Sequence, residues 1–421
     1  MLLKFPYGKS FIQTDIPDER LEVAVSHPSK PLANLREAVK QSVRKPIKCK
    51  PLRHLLNKGD KVCIIVPDET RACPTKEILT PVLEELEPCE VGELQVLIGN
   101  GLHRCMSKSE MSELLGKTVV EEYDVVNHSA CDEKQLANLG MKTSYGTPAV
   151  VNRAVAKSDH LLGVGLVEPH FFAGYSGGRK TVLPAVAGEK AIFNNHSYKM
   201  MDHPNASYGI LDGNPIHLDM IEFMKFVNLS FIINVTINNE GKTTQVFSGH
   251  PVEAHRQGVD FLNRYVNVKL RDYADIVIAS NGGYPLDRDL YQCVKGIATA
   301  ERVVKDKGVI IIVAECRDAL GKHEEFKRLM QEADSPDQVL KEIKENEPLY
   351  DQWQAQVLAR VMGKASILVV ADGVKHEVIR AMMMEPASSL EEALDFAMKK
   401  IPTEKPTIAA IPEGPYVIPF V

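Results

Sequence analysis

The chain has 421 residues and a net charge of −6, with 44% apolar and 25% charged residues. That suits a soluble protein with room for two or three domains, and it leaves no basic face for counterion-release binding to nucleic acid. MLLKFPYGKSF lacks the apolar run of a secretory signal, no stretch is long enough to span a membrane, and the eight cysteines never approach C-x-x-C spacing. The expectation is a cytoplasmic protein with free thiols and no membrane partner.

Short β-rich runs alternate with amphipathic helical stretches. Lys61–Val66 (KVCIIV) predicts a buried strand, followed by the turn PDETRACP and a helix from Thr75 to about Leu86. Glu93–Ile98 predicts the next strand, then GNGLHR, then a helix opened by a Ser107-to-Glu110 capping box. Val150–Lys157 reads as helical and His160–Val167 as a strand. Strands at Phe231–Ile237 and Thr243–Phe247 precede a helix from about Pro251 to Arg264.

After Asn267 the pattern restarts. Asp275–Ser280 predicts a strand, then a helix running to about Lys305, then a strand at Val309–Ala314. Helices around 324–332, 338–346 and 350–361 lead to a strand at Ile367–Ala371. Such alternation implies an α/β fold with helix-covered, mostly parallel sheets. The restart divides the chain into residues 1–270 and 271–406, with 407–421 expected to return to the first domain.

Four strand ends carry polar clusters, where open α/β sheets bind ligands. They are Asp68-Glu69-Thr70-Arg71, Gly99 to Arg104, Glu168-Pro169-His170 leading to Lys180, and Asn281 to Pro285 leading to Tyr291, Gln292 and Lys295. Together they offer His103, His170, Arg71, Lys180 and Lys295, a set suited to binding a small carboxylate and moving protons. His196, read alone, is a helix-surface histidine. The stretch HFFAGYSGGRKTVLPAVAG (170–188) nearly forms a phosphate loop, but Arg179 stands where that loop needs its second glycine.

The motifs DETR (68–71), GNGLHR (99–104), EPHFFAGYSGGRKTVLPAVAG (168–188), NNH (194–196), YPLDRDLYQCVKG (284–296) and DQWQAQ (351–356) resemble the nickel-dependent lactate racemase family. They occur in the family's order along most of the chain. The resemblance implies a two-domain protein with its site in the interdomain cleft. It also implies a nickel-pincer nucleotide cofactor (pyridinium-3-thioamide-5-thiocarboxylic acid mononucleotide) that dedicated cofactor-synthesis proteins supply. By the same resemblance Lys180 bonds covalently to that nucleotide, Thr70, Gly177 and Gly178 help hold it, and His196 completes the nickel plane. His103 and His170 would be the two opposed bases. Arg71, Gln292, Lys295, Tyr291, Trp353 and Asp68 would bind the substrate, with Asp68 also able to orient His103.

The chemistry fits that set. Inverting a 2-hydroxy acid by removing its Cα hydrogen as a proton would place negative charge beside the carboxylate. Removing it as a hydride while a base takes the hydroxyl proton leaves a planar 2-keto acid, open to return on either face. The cofactor stores the hydride and the protein positions the substrate and moves the proton. Imidazole suits the second task because its pKa, about 6.5, lies near neutrality. Phe171, Phe172 and Trp353 suggest a small, partly apolar pocket, and so lactate or a similar short acid. The alternatives are a larger acid (malate, 2-hydroxyglutarate or a sugar acid), a non-catalytic cofactor-binding protein, or a phosphotransferase.

Overall fold

The computed structural model describes residues 1–16 and 18–421. Two six-stranded sheets dominate it. Their strands in chain order are β1 (Leu21–Val23), β2 (Lys61–Pro67), β3 (Glu93–Gly99), β4 (Asp124–Asn127), β5 (His160–Leu166), β6 (Leu229–Ile237), β7 (Thr243–Gly249), β8 (Ala274–Ser280), β9 (Val304–Val313), β10 (Ser366–Val370), β11 (Glu385–Ala387) and β12 (Ile408–Ile411). β2, β5, β8 and the second half of β9 (Val309–Val313) are nearly continuous apolar runs because both faces of their sheets are covered.

The first sheet runs β7-β6-β5-β2-β3-β4, parallel except for the β6–β7 hairpin. This is a doubly wound order, and it reverses between β2 and β5. The C-terminal ends of β5, β2 and β3 therefore lie side by side, which sets three of the four polar clusters next to one another. The second sheet runs β11-β10-β9-β8-β12-β1 and is parallel throughout.

Chain order misleads at both termini. β1 is an edge strand of the second sheet, and the hairpin Leu2–Tyr7/Ser10–Asp15 packs its Leu3, Phe5 and Tyr7 into the apolar core on that sheet's outer face. β12, expected to return to the first domain, instead pairs with β8 inside the second sheet. Ile418–Phe420 does reach back, to pair with Asn267–Lys269, and Glu413 accepts from Asn239 at 3.0 Å.

Two local expectations also change. Val150–Lys157 is not one helix: Pro148–Asn152 is a strand paired with Leu136–Lys142, and only Arg153–Lys157 is helical. Val150 and Val151 favour the extended chain, and the Asn152 side chain caps the short helix by accepting from the Ala154 N–H at 2.9 Å. The helix expected to reach Lys305 ends at Glu301, and β9 begins at Val304. The capping box is present, with Ser107 Oγ accepting from the Glu110 N–H at 3.3 Å and Glu110 accepting from the Ser107 N–H at 2.7 Å.

A single apolar core continues from Val167 and Phe172 through Tyr208 to Ile297 and Leu358, so the two halves share it. Polar bonds reinforce the junction. The Tyr208 hydroxyl donates to the Lys295 carbonyl at 3.1 Å, Arg302 donates to the Tyr208 carbonyl at 3.3 Å, and Gln356 donates to the Tyr198 carbonyl at 3.0 Å. Among the described residues no helix is long and apolar enough to cross a membrane.

Candidate active site

The turn after β2 buries Asp68. Its Oδ1 accepts from the Thr70 hydroxyl at 2.5 Å, and its Oδ2 lies 2.7 Å from His103 Nδ1, carried by the turn after β3. Burial alone would raise the Asp68 pKa, but the His103 and Thr70 hydrogen bonds and the nearby Arg71 hold it below the usual carboxylate range. Asp68 thus orients an imidazole that is half exposed (52%). Thr70 is occupied with Asp68. The Arg71 guanidinium lies 3.4 Å from Glu168, at the end of β5, a residue within the quoted EPH motif to which the sequence reading gave no role.

His170 sits in a two-residue ribbon, Pro169–His170 against Gly174–Tyr175. Its Nδ1 accepts from the backbone N–H groups of Phe172 (3.5 Å) and Ala173 (3.3 Å), and its Nε2 lies 3.1 Å from Lys180 Nζ. Burial, then Lys180, then Arg71 push the His170 pKa well below 6.5. Burial, followed by Arg71 and Arg179, pushes Lys180 well below 10.5.

The glycine loop is not a phosphate loop. It ends in a single 3-10 turn, Gly178–Thr181, with no α-helix N-terminus behind it. Arg179 is 1% exposed and points inward, donating to the Ala173 carbonyl at 2.6 Å and approaching His255 Nε2 at 3.1 Å. Burial lowers its pKa to about 9. Gly178 has φ +56°, its N–H donates to Asn234 at 2.8 Å, and a Cβ there would meet the His255 ring at 2.7 Å. Gly177 likewise packs on Asn234. Internal packing accounts for both glycines, and the Gly178 N–H is not available to a nucleotide.

His196, expected on a helix, caps the C-terminus of Glu189–Asn195. It is 5% exposed, and its ring meets Phe172 at 5.0 Å and Trp353 at 5.4 Å, both edge to face. Burial, with Lys180 adding, lowers its pKa to about 3. Among the described residues its buried Nδ1 has no hydrogen-bond partner. A neutral imidazole with an orphaned nitrogen is a ready metal donor.

The second half contributes the helix Leu290–Glu301, capped by Asp289, which accepts from the Gln292 N–H at 2.8 Å. Lys295 Nζ donates to Gln292 Oε1 at 2.7 Å. Burial and then Arg71 lower the Lys295 pKa to about 8, with Glu168 and Asp289 working the other way. Lys295 thus shares a field with Arg71 and His170, although it lies on the other sheet's helix. The Tyr291 hydroxyl donates to Asp351 at 2.8 Å, and the Tyr291 ring stacks on His323. The sequence reading gave no role to Asp351, although it is in the DQW motif, and none to His323; no local pattern marks either.

The donor set fits a metal-bearing nucleotide tethered to the chain: one unpartnered imidazole, one buried amine of depressed pKa, and cations on both sides. His196 would supply one metal ligand, so the others would belong to the bound group.

The family model described as "Lactate racemase N-terminal domain" matches residues 7–209, and "Lactate racemase C-terminal domain" matches residues 269–419. The lactate racemase of Thermoanaerobacterium thermosaccharolyticum is 38% identical over 99% of this chain and 98% of its own. That of Lactiplantibacillus plantarum is 34% identical over 99% of each. The structure of the T. thermosaccharolyticum apoprotein superposes with a TM-score of 0.94 at 37% identity, covering 100% of both chains. A Thermotoga maritima protein at 17% identity and TM-score 0.69 shares the fold. With that likeness over its whole length, the chain belongs to the lactate racemase family and is an isomerase.

Proposed function

We propose that the protein racemises lactate or a similarly short 2-hydroxy acid, using a nickel-pincer nucleotide bonded to Lys180, in a cleft between halves that divide near residue 270. Cofactor-synthesis proteins would load it. The observation that carries this reading is the contact between His170 and Lys180 at 3.1 Å, within the field of Arg71 and Lys295. It sets an imidazole and an amine, both disfavoured as cations by burial, beside two cations suited to a carboxylate.

Arg71 would take the substrate carboxylate, with Lys295 and Gln292 completing the pocket and Tyr291 and Trp353 bounding it. A guanidinium can hold both carboxylate oxygens and so set the plane of C2. His103, oriented by Asp68, and His170 would accept the hydroxyl proton from one enantiomer and return it to the other. Two bases are needed because the hydroxyl of the two enantiomers points to opposite sides once the carboxylate is clamped. The nickel nucleotide, when bound, would supply a hydride acceptor for C2, and His196 would hold its metal. Phe171 and Phe172, 5% and 3% exposed, keep water from the Lys180 side.

The test is chiral chromatography of lactate, 2-hydroxybutyrate, malate, 2-hydroxyglutarate and gluconate after incubation with cofactor-loaded protein. Loss of optical purity in lactate or 2-hydroxybutyrate supports the reading. Loss only in malate, 2-hydroxyglutarate or gluconate transfers the same chemistry to a larger acid. No change in any of them, with nickel and nucleotide bound, leaves a cofactor-binding protein.

A further inference from the structure

Asp351 directly precedes the helix Gln352–Lys364 that carries Trp353, yet its backbone is left-handed, with φ 61° and ψ 4°. A residue other than glycine in that region is strained and persists only where its surroundings hold it there. Here its own carboxylate holds it. Oδ1 accepts from the Tyr291 hydroxyl at 2.8 Å, and Oδ2 accepts from the His323 Nδ1–H at 2.7 Å. The Tyr291 and His323 rings stack with centroids 3.5 Å apart and 8° between their planes. Phe326 closes the far edge of Tyr291 at 5.3 Å.

This arrangement joins two elements of the proposed pocket. Tyr291 opens the helix that carries Gln292 and Lys295, and Trp353 follows Asp351 by two positions. One carboxylate therefore ties the carboxylate-binding helix to the helix whose indole meets His196. His323 fixes the second oxygen, which leaves the first aimed at Tyr291. Burial and the negative Asp351 raise the Tyr291 pKa well above 10, so the hydroxyl remains the donor.

We infer that Asp351 and His323 are positioning residues, which hold Tyr291 and Trp353 in the geometry that turnover requires. The kinetic part rests on the proposed function; the structural part does not. Trp353 is the only tryptophan, so its fluorescence reports the pocket directly.

The experiment compares full-length wild type, Asp351→Gly, Asp351→Asn, His323→Gln and Tyr291→Phe. Glycine accepts the left-handed backbone without cost but deletes the carboxylate, whereas asparagine tolerates that backbone and keeps an acceptor. Asp351→Gly should still fold and melt cooperatively, because relief of the left-handed backbone offsets part of the loss of two hydrogen bonds. It should nevertheless shift Trp353 emission to the red and raise acrylamide quenching in unloaded protein. Once loaded, it should lower kcat by about 10- to 100-fold, the cost of an ångström-scale misplacement. Tyr291→Phe and His323→Gln should shift emission the same way, and Asp351→Asn should restore most of both signals. Wild-type emission and kcat in Asp351→Gly, or an Asn variant no better than Gly, would overturn the inference. A loaded wild type that racemises no acid would count against the proposed function, and the fluorescence comparison would still decide this one.

Discussion

His170 Nε2 and Lys180 Nζ meet at 3.1 Å in the buried interior. The backbone N–H groups of Phe172 and Ala173 point at the other ring nitrogen, Nδ1, at 3.5 and 3.3 Å. Burial and the neighbouring cations disfavour charge on both groups and depress both pKa values. A buried neutral lysine is a nucleophile, and an uncharged imidazole beside it can act as a base.

Lys180→Ala should abolish any covalent gain of the nucleotide, read as the intact mass of protein after loading. His103→Ala and His170→Ala should keep the adduct and lose turnover by about 10²- to 10⁴-fold, the usual worth of a positioned base. Racemisation at the wild-type rate by Lys180→Ala would remove the tethered cofactor from the proposal. Full activity in either histidine variant would remove the two-base scheme.

Lys295 supplies a pH dependence. Its pKa is about 8, so it is cationic below that value and loses its charge as pH rises through it. Attraction for a carboxylate is present below pH 8 and lost above, and kcat/KM, which reports the free enzyme, should fall on the alkaline side. Lys295→Met should be about tenfold weaker below pH 8, the worth of one ion-pair contact of ~1.4 kcal/mol, and should lack the alkaline fall, so that it approaches wild type at higher pH. An unchanged pH profile in Lys295→Met would assign the alkaline limb to another group.

Buried neutral histidines predict acid lability. Burial lowers His128 to about 4, His255 to about 3 and His217 to about 2, whereas in an unfolded chain each titrates near 6.5. Below pH 6.5 the unfolded state therefore binds protons that the folded state refuses. Stability is fully present above 6.5 and declines as pH falls toward these lower values. The melting temperature should hold between pH 7 and 8 and drop steadily from 6.5 to 4. His128→Gln, which removes one such proton, should make the drop shallower.

Gly178→Ala should be among the more damaging single-methyl changes. The new Cβ would sit 2.7 Å from the His255 ring on a backbone at φ +56°. Overpacking costs ~1–3 kcal/mol and left-handed alanine about 1 kcal/mol more, so a loss of roughly 2–4 kcal/mol is expected. Urea unfolding measures it. A change below ~0.5 kcal/mol would mean that His255 swings aside at little cost.

The alternation of apolar runs and amphipathic stretches was legible because period and burial are local properties: KVCIIV and VIIIV can be buried on both faces only in a helix-covered sheet. The polar clusters at strand ends and the broken phosphate loop could be read for the same reason. Pairing could not. Arg71 meets Glu168 only because β5 lies beside β2, a contact 97 residues apart in the chain. The placement of β1 and β12 in the second sheet, the buried His170–Lys180 pair, and the strained Asp351 held by Tyr291 and His323 likewise depend on which distant groups share a buried space. Burial and hydrogen bonding set proton positions, and both are assigned by the tertiary structure. Local period and residue type specified most of the elements and what stands at their ends, though not the strand at Pro148–Asn152; the order of the strands decided which of those residues became one site.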